Sequence, residues 1–125
     1  MKKVLIIEDE QTLSAVLVDK FVKDGFEVFT AKDGREGLDM ALKIHPDCIL
    51  LDILMPVMDG ITMLGLLRKD AWGKHAHVLM LTNLSSTEKE MTSHALGVED
   101  YMIKTDWKLE DVVKKVREKI GVAYE

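Results

Sequence analysis

Acidic, hydroxyl and amine side chains follow directly after four short apolar runs of the sequence. Such runs, three or four residues long and without polar alternation, are typical of strands that are buried on both faces of a sheet. The carboxyl ends of parallel strands meet at one edge of an open α/β sheet, and ligands bind there. We therefore expect one edge to carry three carboxylates, a hydroxyl and an ammonium, contributed by Glu8, Asp9, Asp52, Thr82 and Lys104.

Three carboxylates at one edge repel one another unless their charge is compensated. At separations of about 5 Å and an effective dielectric constant near 20, each pair costs roughly 3 kcal/mol, which one lysine offsets only in part. Either one carboxyl group stays protonated or a divalent cation binds. Few carboxylates and no ring of carbonyls favour Mg²⁺, with Mn²⁺ as the alternative, over Ca²⁺. Such a set, with a lysine and a hydroxyl nearby, predicts a site that holds a phosphoryl group by electrostatics.

Strand and helix patterns alternate along the rest of the chain. Apolar residues recur at helical spacing in five segments, and glycines follow two of these as C-caps. Apolar strands joined by helices predict an open parallel sheet covered on both faces. The predicted strands are residues 4–7, 26–31, 48–51, 78–81 and 101–103, and the predicted helices are residues 10–24, 34–44, 61–69, 87–96 and 109–120.

Length and composition restrict the class of protein. The chain has 125 residues, a formal net charge of −5 and 47% hydrophobic residues, which suits one domain. This net negative charge argues against direct nucleic-acid binding, in which Lys and Arg neutralise the phosphates. The apolar stretch 48–58 contains Asp52 and Pro56 and is too short for a membrane helix, and the N-terminal apolar run is too short for a signal peptide. With Cys48 as its single cysteine, the chain is expected to be cytoplasmic and away from membranes.

The chain resembles the receiver domain of two-component response regulators, of the single-domain chemotaxis type, over essentially its whole length. An acidic pair alone is a weak signal, whereas an aspartate followed by Met-Pro and Asp-Gly in this order is specific. The resemblance implies a flavodoxin-like, doubly wound α/β fold with three layers, five helices and a five-stranded parallel sheet in the order 2-1-3-4-5. It is carried by Glu8, Asp9, the run PDCILLDILMPVMDG at 46–60, Thr82, Tyr101 and Lys104.

For the phosphorylation site itself, the resemblance implies an acceptor and a metal. Asp52 would accept a phosphoryl group from a phosphohistidine of a sensor histidine kinase or histidine phosphotransfer protein. Mg²⁺ would be held by Glu8, Asp9 and Asp52 together with the backbone carbonyl of Leu54. The domain itself would span residues 1–121, and residues 122–125 would be a C-terminal tail or the stump of a linker.

The resemblance also implies a switch that responds to the added charge of about −1.5 to −2. Lys104 would pair with the phosphoryl oxygens, Thr82 would swing its hydroxyl onto them, and Tyr101 would turn inward with it. The face made by the fourth helix, the fifth strand and the fifth helix, nominated as residues 91–115, would then change. A downstream protein or a covalently linked output domain would read that change.

Two positions depart from the family pattern. Thr105 follows Lys104 where a proline, often with a cis bond, is usual. A cis bond before threonine would cost about 3–4 kcal/mol, so the shape of this loop stays open at the sequence level. Asn83 follows Thr82 where a small residue is common, and it either restricts access of phospho-donors or adds a hydrogen bond. Neither change removes a reacting group.

Two other functions use similar residue types. Phosphohydrolases of the haloacid dehalogenase type place their nucleophile before the acidic pair and a second aspartate two residues after it. This chain has the reverse order and has Leu54 at that position, which can act as neither acid nor base. The second alternative is a receiver-like interaction module that no longer needs phosphate. We expect a domain that catalyses only its own phosphorylation and a slow dephosphorylation, because Leu54 and Leu84 cannot orient water.

The first predicted helix carries more apolar residues than its core face needs. Leu13, Leu17 and Phe21 recur at the spacing of that face. A small exposed apolar strip beside the acceptor is nominated as the kinase docking surface, and the alternative is that a loop or neighbouring helix buries it. The strip consists of Ala15, Val18 and Val22.

Overall fold

Along residues 1–122, which the computed structural model describes, five strands and five α-helices alternate. Val122 is the only residue of the predicted tail within that range. No helix in this part of the chain combines the length and the apolar character needed to cross a bilayer. The strands are β1 Lys3–Ile7, β2 Glu27–Ala31, β3 Cys48–Leu51, β4 Val78–Thr82 and β5 Asp100–Ile103, and the helices are α1 Gln11–Lys23, α2 Gly34–Ile44, α3 Gly60–Leu67, α4 Thr87–Ala95 and α5 Leu109–Ile120.

The strands form one parallel sheet in the order β2-β1-β3-β4-β5, which confirms the predicted fold. From β1 the chain first adds β2 on one side and then crosses back to add β3 on the other side. β1 and β3 are therefore neighbours although β2 separates them in sequence. Ile7 of β1 is paired with Leu51 of β3. The next residues of the two strands, Glu8 and Asp52, therefore leave the sheet side by side.

Each face of the sheet has its own apolar core, because alternate residues of every central strand point to opposite faces. Leu5 and Ile7 enter the core under α2 and α3, whereas Val4 and Ile6 enter the core under α1 and α5. This explains why the central strands have continuous apolar sequences. Helix residues that complete the cores include Leu38, Met63 and Leu67 on one side and Leu17, Phe21, Val112, Val113 and Val116 on the other.

Side-chain caps fix the start of three helices. Asp33 accepts a hydrogen bond from Glu36 N at the start of α2, and Asp59 accepts one from Thr62 N at the start of α3. Ser86 does the same for α4. Such caps satisfy backbone donors that have no partner within the helix. Because Asp59 is the cap, α3 begins at Gly60, and it ends two residues before the predicted limit of 69.

Candidate functional site

A lysine and two acidic residues form a buried cluster at the carboxyl end of the sheet. The side-chain nitrogen of Lys104 lies 2.5 Å from Glu8 Oε1 and 3.0 Å from Asp52 Oδ2. Glu8 and Asp52 are 5% and 6% exposed, so solvent screens these ion pairs weakly. Thr82 ends β4 and pairs with Ile103 of β5, and Lys104 comes next in the chain. The sheet thus delivers the lysine from one side and the carboxylates from the other.

Backbone donors orient both buried carboxylates. Glu8 Oε2 accepts a hydrogen bond from Glu10 N at 3.0 Å, while Oε1 contacts Lys104. Asp52 Oδ1 accepts from Ile53 N at 2.8 Å, while Oδ2 accepts from Lys104. Each oxygen of the two carboxylates therefore has one partner, which fixes the orientation of each group before any ligand arrives.

The third acidic residue of the site is less constrained. Asp9 is exposed and, among the described residues, makes no hydrogen bond or ion pair. Glu8, Asp9 and Asp52 each offer an oxygen, and these oxygens all lie within 4.8 Å of one another. Only one of the three negative charges is balanced by Lys104. Hard oxygen ligands with excess negative charge fit a divalent cation such as Mg²⁺.

Burial and charge shift the pKa values of the central pair. Burial raises the pKa of Glu8 above its usual value, and the Asp52 charge adds to this, although hydrogen bonds from Lys104 and Glu10 oppose it. Burial alone would lower the pKa of Lys104, but its hydrogen bonds and attraction to Glu8 and Asp52 outweigh that and raise it. Lys104 is therefore a permanent cation at neutral pH.

The two predicted switch residues are both bonded to Leu84, in the connection between β4 and α4. Thr82 Oγ1 accepts a hydrogen bond from Leu84 N at 3.2 Å, and the hydroxyl of Tyr101 donates to Leu84 O at 2.6 Å. Thr82 is fully buried, and the Tyr101 ring is half-buried against the core under α2 and α3. The predicted inward turn of Tyr101 together with Thr82 stays a prediction. Burial raises the pKa of its phenol, with the charges of Glu90 and Asp52 adding to this.

Comparison with known proteins decides the family. Residues 4–117 match the response regulator receiver domain. The chain belongs to this family. A probable transcriptional regulator, ycf27, of Porphyridium aerugineum is 34% identical over 103 residues, which are 82% of this chain and 42% of that protein. Receiver domains are phospho-acceptor signalling switches of two-component systems that bind Mg²⁺ at an acidic site, and the acidic cluster described above fits both properties.

Solved structures of receiver proteins have the same fold. Chemotaxis protein CheY4 of Vibrio cholerae superposes with a TM-score of 0.87 and 33% identity, covering 95% of this chain and 98% of that one. A CheX–CheY–BeF₃–Mg complex of Borrelia burgdorferi gives a TM-score of 0.85 and 28% identity, with 94% and 87% coverage. The chain spans less than half the length of the first curated relatives that it matches.

Residues 53–59, which lie between the predicted acceptor Asp52 and the start of α3, are called the acceptor loop below. Leu54, whose carbonyl is the predicted metal ligand, has a side chain that is 61% exposed. Met58 N donates to Pro56 O at 2.7 Å, and Val57 between them has a φ of +68°. This is a γ-turn with a β-branched residue in the left-handed region, a strained arrangement. The Pro56 that marks a loop in the sequence does not indicate this turn.

The two departures from the family pattern now have a structural description. No peptide bond among the described residues is cis, so the Lys104–Thr105 bond is trans, and a short 3₁₀ turn, Lys104–Asp106, replaces the usual proline-containing loop. Asn83 is exposed, and its side-chain amide bonds to no residue that the structure describes. Lys104 reaches the site without the cis peptide bond that is common in the family.

The predicted docking strip of the receiver domain lines a groove of about 640 Å³ between α1 and the segment after β2. Ala15 is exposed, Val22 is 54% exposed and Val18 is half-buried, so the strip is not covered by a loop or helix of the described chain. Glu8 lies in the groove lining as well as in the buried cluster with Lys104 and Asp52. The exposed Val16 on the same helix does not line the groove.

Proposed function

We propose that Asp52 is the phosphoryl acceptor of this receiver domain and that the donor is the phosphohistidine of a sensor histidine kinase or histidine phosphotransfer protein. One observation carries the proposal: the buried Asp52 carboxylate lies 3.0 Å from the Lys104 nitrogen and beside two further acidic groups. In the reaction, an Asp52 oxygen bonds to phosphorus, the phosphorus–nitrogen bond breaks, and the electron pair stays on the imidazole. The Lys104 cation then pairs with the phosphoryl oxygens.

The same proposal assigns residues to the metal. Asp9 and Asp52, with the backbone carbonyl of Leu54, would hold Mg²⁺ directly, and Mn²⁺ is the alternative ion. Glu8 joins this set, although both of its oxygens already have partners, so it must share one with Lys104 or act through water. The ion supplies charge neutralisation at the transferring phosphoryl group. The work of the chain is to bring three carboxylates and one ammonium into one site.

Phosphorylation would reach the output face through the residues bonded to Leu84. When the Thr82 hydroxyl turns to donate to a phosphoryl oxygen, it stops accepting from Leu84 N. The segment before α4 is then free to move, and Tyr101 follows because its hydroxyl is bonded to Leu84 O. The output surface formed by α4, β5 and α5, residues 91–115, changes as a result. A separate protein or a linked output domain would bind it, without direct contact to nucleic acid or membrane.

The kinase or phosphotransfer protein would dock on Ala15, Val18 and Val22. Two features support this assignment: Ala15 and Val22 are exposed, and the groove that they line with the half-buried Val18 continues to Glu8. A partner seated there would have its histidine near Asp52. We also propose that the receiver unit spans residues 1–121 and works in the cytoplasm, where such kinases present their phosphohistidines.

A turnover phosphatase of the haloacid dehalogenase type is the weaker candidate. Leu54, two residues after Asp52, has an exposed side chain that can neither protonate a leaving group nor activate water. The domain would therefore catalyse only its own phosphorylation and a slow dephosphorylation.

The experiment is incubation with Mg²⁺ and acetyl phosphate, followed by mass spectrometry and peptide mapping. The phosphoryl adduct is expected on Asp52 and absent from Asp52→Asn. An adduct on another residue would overturn the acceptor assignment. Spectra that do not change with Mg²⁺ and beryllofluoride would instead support a phosphate-independent module, and release of many phosphates per protein would support the phosphatase.

A further inference from the structure

A backbone hydrogen bond joins the start of α2 to the acceptor loop. Gly34 N donates a hydrogen bond to Met58 O at 2.9 Å, across 24 positions of sequence. A Cβ atom at Gly34 would overlap Met58 O and would lie 2.9 Å from the Met58 carbonyl carbon and 3.1 Å from Asp59 O. Since all these atoms belong to the backbone, no side-chain rotation relieves the overlap. Only glycine allows this contact.

The first turn of α2, which contains Gly34, is itself held in place. Asp33 is 8% exposed and caps α2 by accepting from Glu36 N at 2.8 Å. Gly37, one turn further along, packs so closely on Ile7 that a Cβ atom there would lie 2.5 Å from its Cδ1. The first turn of α2 is therefore fixed against β1, and the Gly34–Met58 contact ties the acceptor loop to this fixed point.

The other end of the acceptor loop is closed by a second backbone contact. Gly60 N donates to Ile53 O at 2.9 Å, and a Cβ atom at Gly60 would overlap Asp52 O. The loop that carries Leu54 is thus closed by the Gly60–Ile53 bond and tied to α2 by the Gly34–Met58 bond. Between these points lies Val57, with its strained φ of +68°. Strain of this kind persists only where the surroundings impose it, and the bond to Met58 is next to it.

We propose that Gly34 is a positioning residue for the phosphorylation site. Its backbone contact with Met58 holds the acceptor loop in the shape that presents Asp52 and the Leu54 carbonyl to the metal. The inference rests on the proposed function, since it assumes that these two residues hold Mg²⁺. Gly34 touches neither the metal nor the phosphoryl group, and it acts only through the loop.

The test compares Gly34→Ala with Gly65→Ala. Gly65 is a matched control because it lies in α3, immediately after the acceptor loop, and a Cβ atom there meets nothing within 4 Å. Mg²⁺ affinity is measured by titration followed through tryptophan fluorescence or calorimetry, and beryllofluoride uptake is measured in parallel. Gly34→Ala is expected to lose about tenfold or more in Mg²⁺ affinity, as supporting residues of metal sites do, and Gly65→Ala to stay within about twofold of the original chain.

A purely structural role would give a different pattern. It would lower the melting temperature of Gly34→Ala and leave the Mg²⁺ affinity of the folded fraction unchanged, which would overturn the inference. If the unsubstituted chain binds neither Mg²⁺ nor beryllofluoride, the proposed function fails instead, so the two failures are distinguishable.

A second measurement needs no substitution and covers the case in which Gly34→Ala does not fold. Hydrogen exchange of the Gly34 amide reports on its bond to Met58 O. Adding Mg²⁺ and beryllofluoride should slow this exchange several-fold, because ligands that bind only while the Gly34–Met58 bond is formed stabilise that bond. The Asp47 amide, which bonds to Lys3 O at the opposite edge of the sheet, is the control and should not change. Equal exchange at Gly34 with and without ligand would overturn the inference.

Discussion

The phenol hydroxyl of Tyr101 donates a hydrogen bond of 2.6 Å to the backbone carbonyl of Leu84. The amide of the same Leu84 donates to Thr82 Oγ1. The backbone of Leu84 therefore connects Thr82, at the end of β4, to Tyr101 of β5, and we expect a movement of Thr82 that breaks its bond to be transmitted through Leu84.

Exchange of the Leu84 amide should report this connection. With beryllofluoride and Mg²⁺, Thr82 turns away and the Leu84 amide loses its acceptor, so its hydrogen exchange is expected to accelerate. Thr82→Val removes the acceptor and should give fast exchange at Leu84 without any ligand. Nuclear magnetic resonance measures both, and a Leu84 amide that keeps its protection in the liganded protein would contradict the proposed path.

Asp9→Asn should separate the effects of charge and of metal on stability. Asp9 adds a negative charge to a cluster in which Lys104 balances only one, so in EDTA its neutralisation is expected to raise the free energy of unfolding by about 1 kcal/mol. The unsubstituted chain should gain stability with Mg²⁺ because the ion binds only the folded site. Asp9→Asn should lose that gain. Denaturant unfolding with and without Mg²⁺ measures both, and an equal gain in the two proteins would argue against Asp9 as a ligand.

Val57→Gly is expected to stabilise the protein. Val57 is 82% exposed, so its replacement sacrifices little packing, and it removes the strain of a β-branched residue at a φ of +68°. Relief of the strain is worth about 1–3 kcal/mol. This exceeds the entropic cost of ordering glycine, which is more flexible than valine in the unfolded chain, so a net gain of about 1 kcal/mol is expected. Val57→Asn, which tolerates this conformation, should give part of the gain. A lower denaturant midpoint for both variants would refute the strain argument.

Cys48 gives a pH dependence that can be checked at alkaline pH. Burial raises the pKa of its thiol from 9.0 to about 12 in the folded protein. The unfolded chain therefore releases this proton first, so the contribution to stability is present below about pH 9 and is lost as the pH rises toward 12. Cys48→Ala should flatten this alkaline decline, although it lowers stability at neutral pH by leaving a small cavity. Alkylation at pH 8 should be slow in the folded protein, and fast alkylation would contradict the buried placement.

Val22→Glu should slow phosphotransfer from a protein donor and spare acetyl phosphate. Val22 is exposed and lines the groove beside α1, so a charge there opposes docking while the phosphorylation site stays intact. Val16→Glu is the matched control, since Val16 lies on the same helix, is 42% exposed and does not line the groove. Transfer rates are measured with a histidine kinase that phosphorylates the unsubstituted chain. Equal loss with both donors, or equal loss in both variants, would rule out the groove.

Sequence periodicity and the polar residues after the strands predict most of the fold and the centre of the site. The three central strands are almost wholly apolar because both faces are covered, and that signal is local, so they and the positions of Glu8, Asp9 and Asp52 follow from it. The edge strands β2 and β5, the second of which precedes Lys104, are partly exposed and include polar residues, so their signal is weaker. The strand order comes from the family resemblance, because hydrophobic runs do not indicate which strands are neighbours in the sheet. Helix limits depend on caps, and Asp59 moves α3 earlier than its apolar pattern indicates.

Contacts between backbone atoms are beyond the reach of sequence patterns. Nothing in the types or spacing of Gly34 and Met58 indicates that they meet, because each looks like an ordinary helix start or loop residue. The same holds for Leu84, which joins Thr82 to Tyr101 through its amide and carbonyl and so contributes no side-chain signal. The bond of the Tyr101 hydroxyl to Leu84 O could not be predicted either, since it depends on where the segment before α4 passes.

The segment that follows β2 belongs to two features at once. Lys32 and Glu36 form part of the groove wall. Between them, Gly34 bonds to the acceptor loop through Met58 O, and Asp33 caps α2. A protein that fills the groove and shifts this wall changes the free energy of the loop, and thermodynamic linkage then requires the metal to change the affinity for that protein by the same factor. Docking in the groove and cation binding would then act on the same segment, so we expect the affinity for a partner to depend on magnesium concentration even before any phosphate is transferred.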